Sequence, residues 1–144
     1  SAAENRVAMH ARIEVGEMEG FLAYEDGAVV GWMNAQPRPK LRHCFDRMRI
    51  APTELPCRDF EAAAIVCFVV SPAHRRRGIA DTLLASGLKA LAARGIKVVD
   101  AFPFKAGDSE AGADHYHGPR SMFVAAGFTT LREEDTLTVM RKLL

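Results

Sequence analysis

A run of arginines followed by a glycine is the feature of this sequence best suited to chemistry. Arg75, Arg76 and Arg77 stand directly before Gly78. Guanidinium groups bind phosphate oxygens through charge-assisted hydrogen bonds, and a glycine lets a ligand approach the backbone without a side chain in the way. The chemistry that these residue types favour is therefore the binding of a phosphorylated ligand.

An apolar run before the arginines and a helical pattern after the glycine would position this turn. Residues 62–70 are nearly all apolar and predict a strand buried on both faces. Residues 81–94 have leucines at helical spacing and predict a helix. The start of a helix offers unpaired N–H groups and a positive dipole end to an anion. The alternative, a solvated charge run beside an ordinary turn, is disfavoured by the flanking strand and helix.

The rest of the chain predicts an α/β fold, with a central mixed, mostly antiparallel sheet and helices on both faces. The order strand, turn, helix and strand over residues 62–102 implies a parallel pair with a right-handed crossover. Residues 36–59 are broken by prolines and basic, and they are either a substrate-selecting loop or a solvated connector. The other predicted elements are a helix over 4–19, a hairpin over 20–35 turning at 25–27, a short helix over 41–48, strands over 96–102, 128–131 and 136–141, and a helix over 119–126.

Composition narrows the class of protein. The 144 residues fit one domain over 1–144, and 49% hydrophobic residues suffice for a core. A net charge of +1 gives no general reason to expect nucleic acid or an anionic membrane as partner. No apolar run is long enough to cross a membrane and no signal-peptide pattern opens the chain. Three cysteines, an odd number without metal-type spacing, favour reduced thiols and a cytoplasmic location.

The glycine turn also carries a family resemblance. The dinucleotide pattern G-x-G-x-x-G and the triphosphate pattern G-x-x-x-x-G-K-[ST] are absent. Val70-x-Pro72 followed by Arg75-x-x-Gly78-x-Ala80 meets the pattern V-x-P-x-x-R-x-x-G-x-G/A at every specified position. This resembles the signature of the GNAT superfamily of acyl-CoA-dependent N-acetyltransferases.

Other stretches extend the resemblance to roughly residues 20–142. Residues 121–128 resemble the later helix of the family and its closing Gly-Phe, and the hairpin over 21–35 resembles its second and third strands. Tyr116-His117-Gly118 is similar to a motif of a poorly characterised bacterial branch. The first strand and first helix of the family have no counterpart, which would fit a trimmed chain, a natural short form, or a homodimer that borrows cover from a partner subunit.

The resemblance implies acetyl-CoA as the acyl donor and assigns residues to it. Arg75 matches the signature arginine, and a splayed strand pair would admit the pantetheine arm. The N–H of Val69 or Val70 would polarise the thioester carbonyl in the manner of an oxyanion hole. The residues expected to contact the donor are Phe68, Val69 and Val70 for the pantetheine arm, and Arg76, Arg77, Gly78, Ile79, Ala80 and Asp81 for the pyrophosphate.

Proton transfer is harder to assign. The family often places a carboxylate on the strand before the signature, but this strand has none. Glu61 or Asp59, just upstream, would then act as the base through water, and a solvated strand start is the alternative. The usual acid, a tyrosine four residues before the closing glycine, is replaced by Phe123, which is instead expected to contact the cofactor. Tyr116 is the best substitute.

The neighbours of these residues carry weaker signals. His115 and His117 flank Tyr116, but a surface loop role is more probable for both, and without a third ligand their spacing does not predict a metal site. Cys67 lies inside an apolar run, where burial raises a thiol pKa, so we interpret it as an inert core residue.

Three functional hypotheses follow. The first is an enzyme that transfers acetyl from acetyl-CoA to a primary amine of a small molecule or peptide by direct attack, without a metal. The second is an acyl-CoA-binding sensor or degenerate homologue without turnover. The third, nucleic-acid binding through Arg75–Arg77 and the basic residues of 38–49, is opposed by the balanced charge and by the scarcity of aromatic residues whose sequence context suggests exposure.

Overall fold

The computed structural model describes residues 20–51, 53–105 and 117–144. The helix predicted over 4–19, His115 and Tyr116 lie outside the described residues. The strands are β1 (Phe21–Glu25), β2 (Ala28–Pro37), β3 (Ala62–Val70), β4 (Val98–Ala101), β5 (Thr129–Glu133) and β6 (Thr138–Leu143). The helices are α1 (Arg42–Met48), α2 (Ile79–Ala93) and α3 (Arg120–Ala125), and 3-10 turns occupy Arg38–Leu41, Asp59–Glu61 and Pro72–His74.

The six strands form one sheet in the order β1-β2-β3-β4-β6-β5. The pair β3–β4 is parallel and its neighbours are antiparallel. This is the mixed, mostly antiparallel sheet with one parallel pair that the sequence predicts. The crossover helix between β3 and β4 is α2, as expected.

The β1–β2 hairpin has the two-residue turn that its sequence favours. Glu25 pairs with Ala28, so Asp26 and Gly27 are the two turn residues. Both have positive φ, 50° and 80° respectively. Positive φ at both positions defines the type I′ turn that matches the twist of two antiparallel strands.

Two apolar cores cover the two faces of the sheet. Helices α2 and α3 cover one face, where Leu84, Leu91 and Phe123 are at most 2% exposed. Full burial of each such side chain contributes about 1.5–3 kcal/mol. Helix α1 covers the other face, with Phe45 against a core that includes Phe102. The prediction of helices on both faces is confirmed.

The structure corrects the sequence interpretation in two places. Strand β2 continues to Pro37, which pairs with Ala63, so the segment after residue 35 is not irregular from its start. Strand β5 continues to Glu133 and the turn to β6 lies two residues later than predicted. In both cases pairing with a neighbouring strand extends a strand past the residues whose own pattern favours it.

Candidate active site

The parallel pair β3–β4 opens into a wedge. Pairing between the two strands ends at Ile65 and Ala101, whereas β3 continues to Val70. The chain after β4 follows β6 instead, since the N–H of Thr138 donates to the carbonyl of Pro103 at 2.9 Å. Strand β3 stays paired with β2 along this length. The two strands therefore diverge from residue 66 onward.

Backbone alternation decides which groups of β3 face the wedge. The N–H of Ser71 donates to the carbonyl of Val30 at 2.8 Å, in register with the rest of the β2–β3 pair. Along an antiparallel pair, successive residues point their backbone groups alternately toward and away from the partner strand. The backbone of Val69 therefore faces β2, and that of Val70 faces the wedge. The sequence alone did not distinguish Val69 from Val70 as the donor to the thioester carbonyl.

A bulge at Val66 sets the side-chain directions on β3. The register opposite β2 passes from Ile65 directly to Cys67, so Val66 is the extra residue. Val66 and Cys67 consequently both pack toward the α1 face, while Phe68 returns to the α2 face. Burial, with a smaller contribution from Cys44, raises the pKa of the Cys67 thiol to about 11. Cys67 is thus a poor nucleophile, as the sequence predicts.

The turn between β3 and α2 presents backbone N–H groups. The 3-10 turn Pro72–His74 leads to two residues in the left-handed region, Arg76 with φ 62° and Gly78 with φ 75°. The first intrahelical bond of α2 runs from the N–H of Thr82 to the carbonyl of Gly78 at 3.0 Å, and the helix start has no side-chain cap. The N–H groups of residues 79–81 precede that bond. A Cβ placed on Gly78 would meet no atom of the described residues within 4 Å, so these residues leave space open above the turn.

The arginines of the turn differ in their surroundings. Nη1 of Arg77 lies 3.3 Å from both carboxylate oxygens of Glu25, at the end of β1. Nε2 of His74 lies 3.0 Å from Oε2 of the same carboxylate. Arg76 is exposed and has no ion-pair partner within the described residues. Arg75 is half-buried. The sequence did not predict the contact with Glu25, which joins the hairpin to the turn.

Glu61 lies at the opposite end of β3 from the turn. It precedes Ala62 at the start of the strand, whereas the turn follows Val70, so the nine residues of β3, about 30 Å at 3.3 Å per residue, separate the two. Its carboxylate lies 2.7 Å from Nζ of Lys97 and accepts the N–H of Arg58 at 3.1 Å. The bond with Lys97 is the larger cause that lowers the pKa of Glu61, and the N–H of Arg58 adds to it. The role of base expected for Glu61 stays a prediction, and its ion pair with Lys97 and its place at the start of β3 count against it.

Phe123 is a core residue. Its ring is 0% exposed and packs at centroid distances of 6.3 Å from Phe68 and 5.2 Å from Phe128. A side chain without accessible surface offers no contact to a ligand in this arrangement. The cofactor contact expected for Phe123 stays a prediction, and the packing of the ring in the core counts against it. The side chain of Phe68 is also fully buried, which leaves the expectation for its backbone unaffected.

The candidate acid Tyr116 cannot be placed, because it lies outside the described residues. The nearest described neighbour is His117, whose ring contacts Phe104 at a centroid distance of 4.2 Å. This contact brings together described residues on either side of the segment 106–116. The role of Tyr116 stays a prediction.

A buried charge cluster on the α1 face was missed at the sequence level. Asp100 is 1% exposed, and its two oxygens accept from Nε and Nη2 of Arg141 at 2.7 and 3.0 Å. Nη1 of Arg38 lies 3.8 Å from the same carboxylate. Arg141 also donates to the carbonyl of Glu54 at 2.9 Å and so fixes the segment before β3. The available signal was a single carboxylate within the apolar run of β4, since a buried charge requires a partner.

The described residues give no indication of a metal. They contain no group of three or more His, Cys, Asp or Glu side chains placed to hold an ion. In the same part of the chain, no helix is both long and apolar enough to cross a membrane. The three cysteines are free thiols.

Comparison with known families identifies the class of protein. Residues 2–117 match the model of the acetyltransferase (GNAT) family. The chain belongs to this family. A search of curated proteins finds no match to the sequence.

Solved structures share the fold at low identity. A GCN5-related N-acetyltransferase from Kribbella flavida is 16% identical with a TM-score of 0.60, over 89% of this chain and 68% of that one. The ribosomal-protein-alanine N-acetyltransferase from Brucella melitensis is 17% identical with a TM-score of 0.60, over 100% and 79%. The PaiA N-acetyltransferase from Thermoplasma acidophilum in complex with coenzyme A is 13% identical with a TM-score of 0.59, over 93% and 66%. The family and the fold confirm the resemblance stated above, and acetyl transfer is the activity of the family.

Proposed function

We propose that this protein transfers an acetyl group from acetyl-CoA to a primary amine of a small molecule or a peptide. The observation that carries the proposal is the turn over residues 75–81 at the open end of the β3–β4 wedge. It combines a left-handed glycine, a helix start without a side-chain cap and an adjacent strand edge. A matched family model and a neighbour solved with coenzyme A support the same donor.

The turn fits the diphosphate of the donor. Successive N–H groups at a left-handed turn and helix start form a concave site for an anion, and the space above Gly78 is open. The N–H groups of Arg76 to Asp81 would hold the pyrophosphate, with Arg75 and Arg76 adding charge. The edge of β3 from Phe68 to Val70 would pair with the amide groups of the pantetheine arm. Acetyl-CoA supplies the activated acyl carbon.

The proposed reaction is a direct displacement. The neutral amine nitrogen attacks the thioester carbonyl carbon and a carbon–nitrogen bond forms. The carbon–sulfur bond breaks, the nitrogen loses a proton to become an amide, and the coenzyme A thiolate gains a proton and leaves as a thiol. The N–H of Val70 faces the wedge and would donate to the carbonyl oxygen as negative charge develops there. This assignment selects Val70 over Val69.

Proton transfer relies on groups other than those on β3, which has no carboxylate between Ala62 and Val70. An amine is mostly protonated at neutral pH and must lose a proton before it attacks. With Glu61 at the far end of the strand, we assign amine deprotonation to solvent at the wedge. Tyr116 remains the proposed donor to the leaving thiolate.

A second candidate is an acyl-CoA-binding sensor without turnover. Two observations favour it: Glu61 is engaged by Lys97, and a buried phenylalanine, Phe123, occupies the position at which the family usually has a tyrosine. Both candidates predict the same ligand and differ only in whether an amine accepts the acetyl group. A homodimer and a cytoplasmic location remain predictions.

One experiment separates the candidates. Thermal unfolding is measured with acetyl-CoA, coenzyme A and dephospho-CoA, because a ligand at 100 times its Kd adds about 2.7 kcal/mol of stability. Absence of a shift with all three would contradict both candidates. Thiol release is then measured across a panel of primary amines and amino-terminal peptides. Release above the rate without amine supports the enzyme, and stabilisation without release supports the sensor.

A further inference from the structure

A turn that binds phosphate is expected to carry positive charge. The negatively charged carboxylate of Glu25 nevertheless lies against this turn. Glu25 is the last residue of β1 and contacts Arg77 at 3.3 Å and His74 at 3.0 Å. The pair is accessible, since the side chains of Arg77 and Glu25 are 56% and 44% exposed. An exposed ion pair of this kind is weak, worth about 0.2–1 kcal/mol. A ligand anion is therefore able to compete for the guanidinium.

The two contacts of Glu25 are not equivalent. The ring of His74 is less accessible, with 27% of its side chain exposed, and its Nδ1 is buried with no hydrogen-bond partner among the described residues. The Nε2 of His74 faces the carboxylate as a hydrogen-bond donor. His74 thus holds Glu25 by a hydrogen bond, while Arg77 neutralises its charge. If Arg77 turns away, Glu25 keeps one partner.

We propose that Glu25 is an exchangeable counter-ion of the turn, which a phosphate of the ligand replaces at Arg77. Carboxylate and phosphate oxygens accept the same guanidinium hydrogen bonds, so the two compete for one donor. Glu25 then lowers the affinity for coenzyme A. This inference rests on the proposed function, because it concerns the same ligand.

A different role for Glu25 makes the opposite prediction. If Glu25 held Arg77 in the position in which it binds the ligand, removal of the carboxylate would weaken binding. The sign of the change in Kd thus distinguishes a competitor from a positioning residue.

The test is isothermal titration of coenzyme A into the wild-type protein and Glu25→Gln. The substitution removes the charge and keeps the shape of the side chain. We expect Kd to fall about twofold to fivefold, the change that an exposed ion pair accounts for, and the difference to shrink at high salt. Glu134→Gln is the matched control: it changes the net charge equally, but Glu134 pairs with Arg132 at 2.6 Å beside the opposite edge strand. Its Kd should stay near that of the wild type.

Two double variants test whether Glu25 changes Kd through its contact with Arg77. Glu25→Gln should have no effect on Kd in a chain carrying Arg77→Gln, and it should keep its effect in one carrying Arg76→Gln. The same titrations with dephospho-CoA show which phosphate replaces Glu25 at Arg77. If Glu25→Gln no longer changes Kd, the 3′-phosphate is the group that binds Arg77. If the change in Kd persists, the pyrophosphate is that group.

The outcomes keep this inference separate from the proposed function. If the wild type binds coenzyme A but Glu25→Gln leaves Kd unchanged or raises it, the counter-ion role is wrong and the proposed function stands. An equal fall in Kd for Glu134→Gln would also overturn the role, since net charge alone would explain it. If the folded wild type does not bind coenzyme A, the proposed function itself fails.

Discussion

Replacement of Gly78 by alanine separates folding from ligand binding at the turn. The φ of 75° at Gly78 is left-handed, and a residue with a Cβ pays about 1–2 kcal/mol there. The added Cβ meets no atom within 4 Å in the part of the chain that the structure describes, so steric contact with these residues adds no further cost. We expect a loss of stability of about 1 kcal/mol, after the gain from a less flexible unfolded chain is deducted. For a chain of this size that lowers Tm by about 3–4 °C.

The chain contains a matched control at the other end of the same helix. Gly95 follows α2 with φ 90°, and a Cβ there also meets no atom within 4 Å. Gly95→Ala should therefore lose about as much stability as Gly78→Ala. Only the Cβ of Gly78 would project into the space assigned to the pyrophosphate.

The assay is thermal unfolding with coenzyme A at 100 times the wild-type Kd. Wild type and Gly95→Ala should each gain about 2.7 kcal/mol. If the Cβ at residue 78 weakens binding at least tenfold, the gain in Gly78→Ala falls to about 1.4 kcal/mol or less. A full ligand-induced gain in Gly78→Ala would refute the placement of the pyrophosphate at this turn, even if the protein binds coenzyme A elsewhere.

Three other predictions test the remaining assignments. Asp100→Ala should destabilise the protein by about 3–5 kcal/mol in urea unfolding, because it leaves Arg141 and Arg38 without their buried anion; a loss below about 1 kcal/mol would contradict this. Glu61→Gln should lower Tm at pH 7, and it should have no effect on Tm when the pH is below the pKa of Glu61 in the folded protein. The reason is that a carboxyl group whose pKa is lowered by folding adds stability at any pH above its unfolded pKa, near 4.5. This stability is lost as the pH falls through the pKa of the folded protein. A Tm difference that persisted in acid would show that charge is not the cause. With an amine that accepts acetyl, Tyr116→Phe should reduce kcat and leave the Kd for coenzyme A unchanged; an unaltered kcat would exclude Tyr116 as the acid.

Local patterns were sufficient for most elements. The apolar run over 62–70 predicted β3 with its observed bounds, and the leucine spacing predicted α2 to within two residues of each end. The Asp-Gly pair predicted the hairpin turn. These features depend on residues close together in sequence, whose periodicity and backbone preferences act without a tertiary partner.

The catalytic assignments depend on positions across the sheet, which the sequence alone does not define. Glu61 is next to β3 in sequence but at the far end of it in space. Phe123 was expected at the ligand and instead lies in the core, where α3 packs on the sheet. In each case closeness in sequence or a family position did not determine which surface the side chain reaches.

For the site as a whole, the sequence by itself determined the kind of binding turn: arginines, a glycine and a helix start that together favour a phosphorylated ligand. The tertiary structure decided the rest. The register of the β2–β3 pair turns the backbone groups of Val70, and not those of Val69, toward the wedge. The order of the strands places Glu25 in contact with Arg77, which lies 52 residues later in the sequence. The physical reason is that strand pairing, bulges and strand order are set by contacts between distant segments, and no local pattern encodes which distant residues will meet.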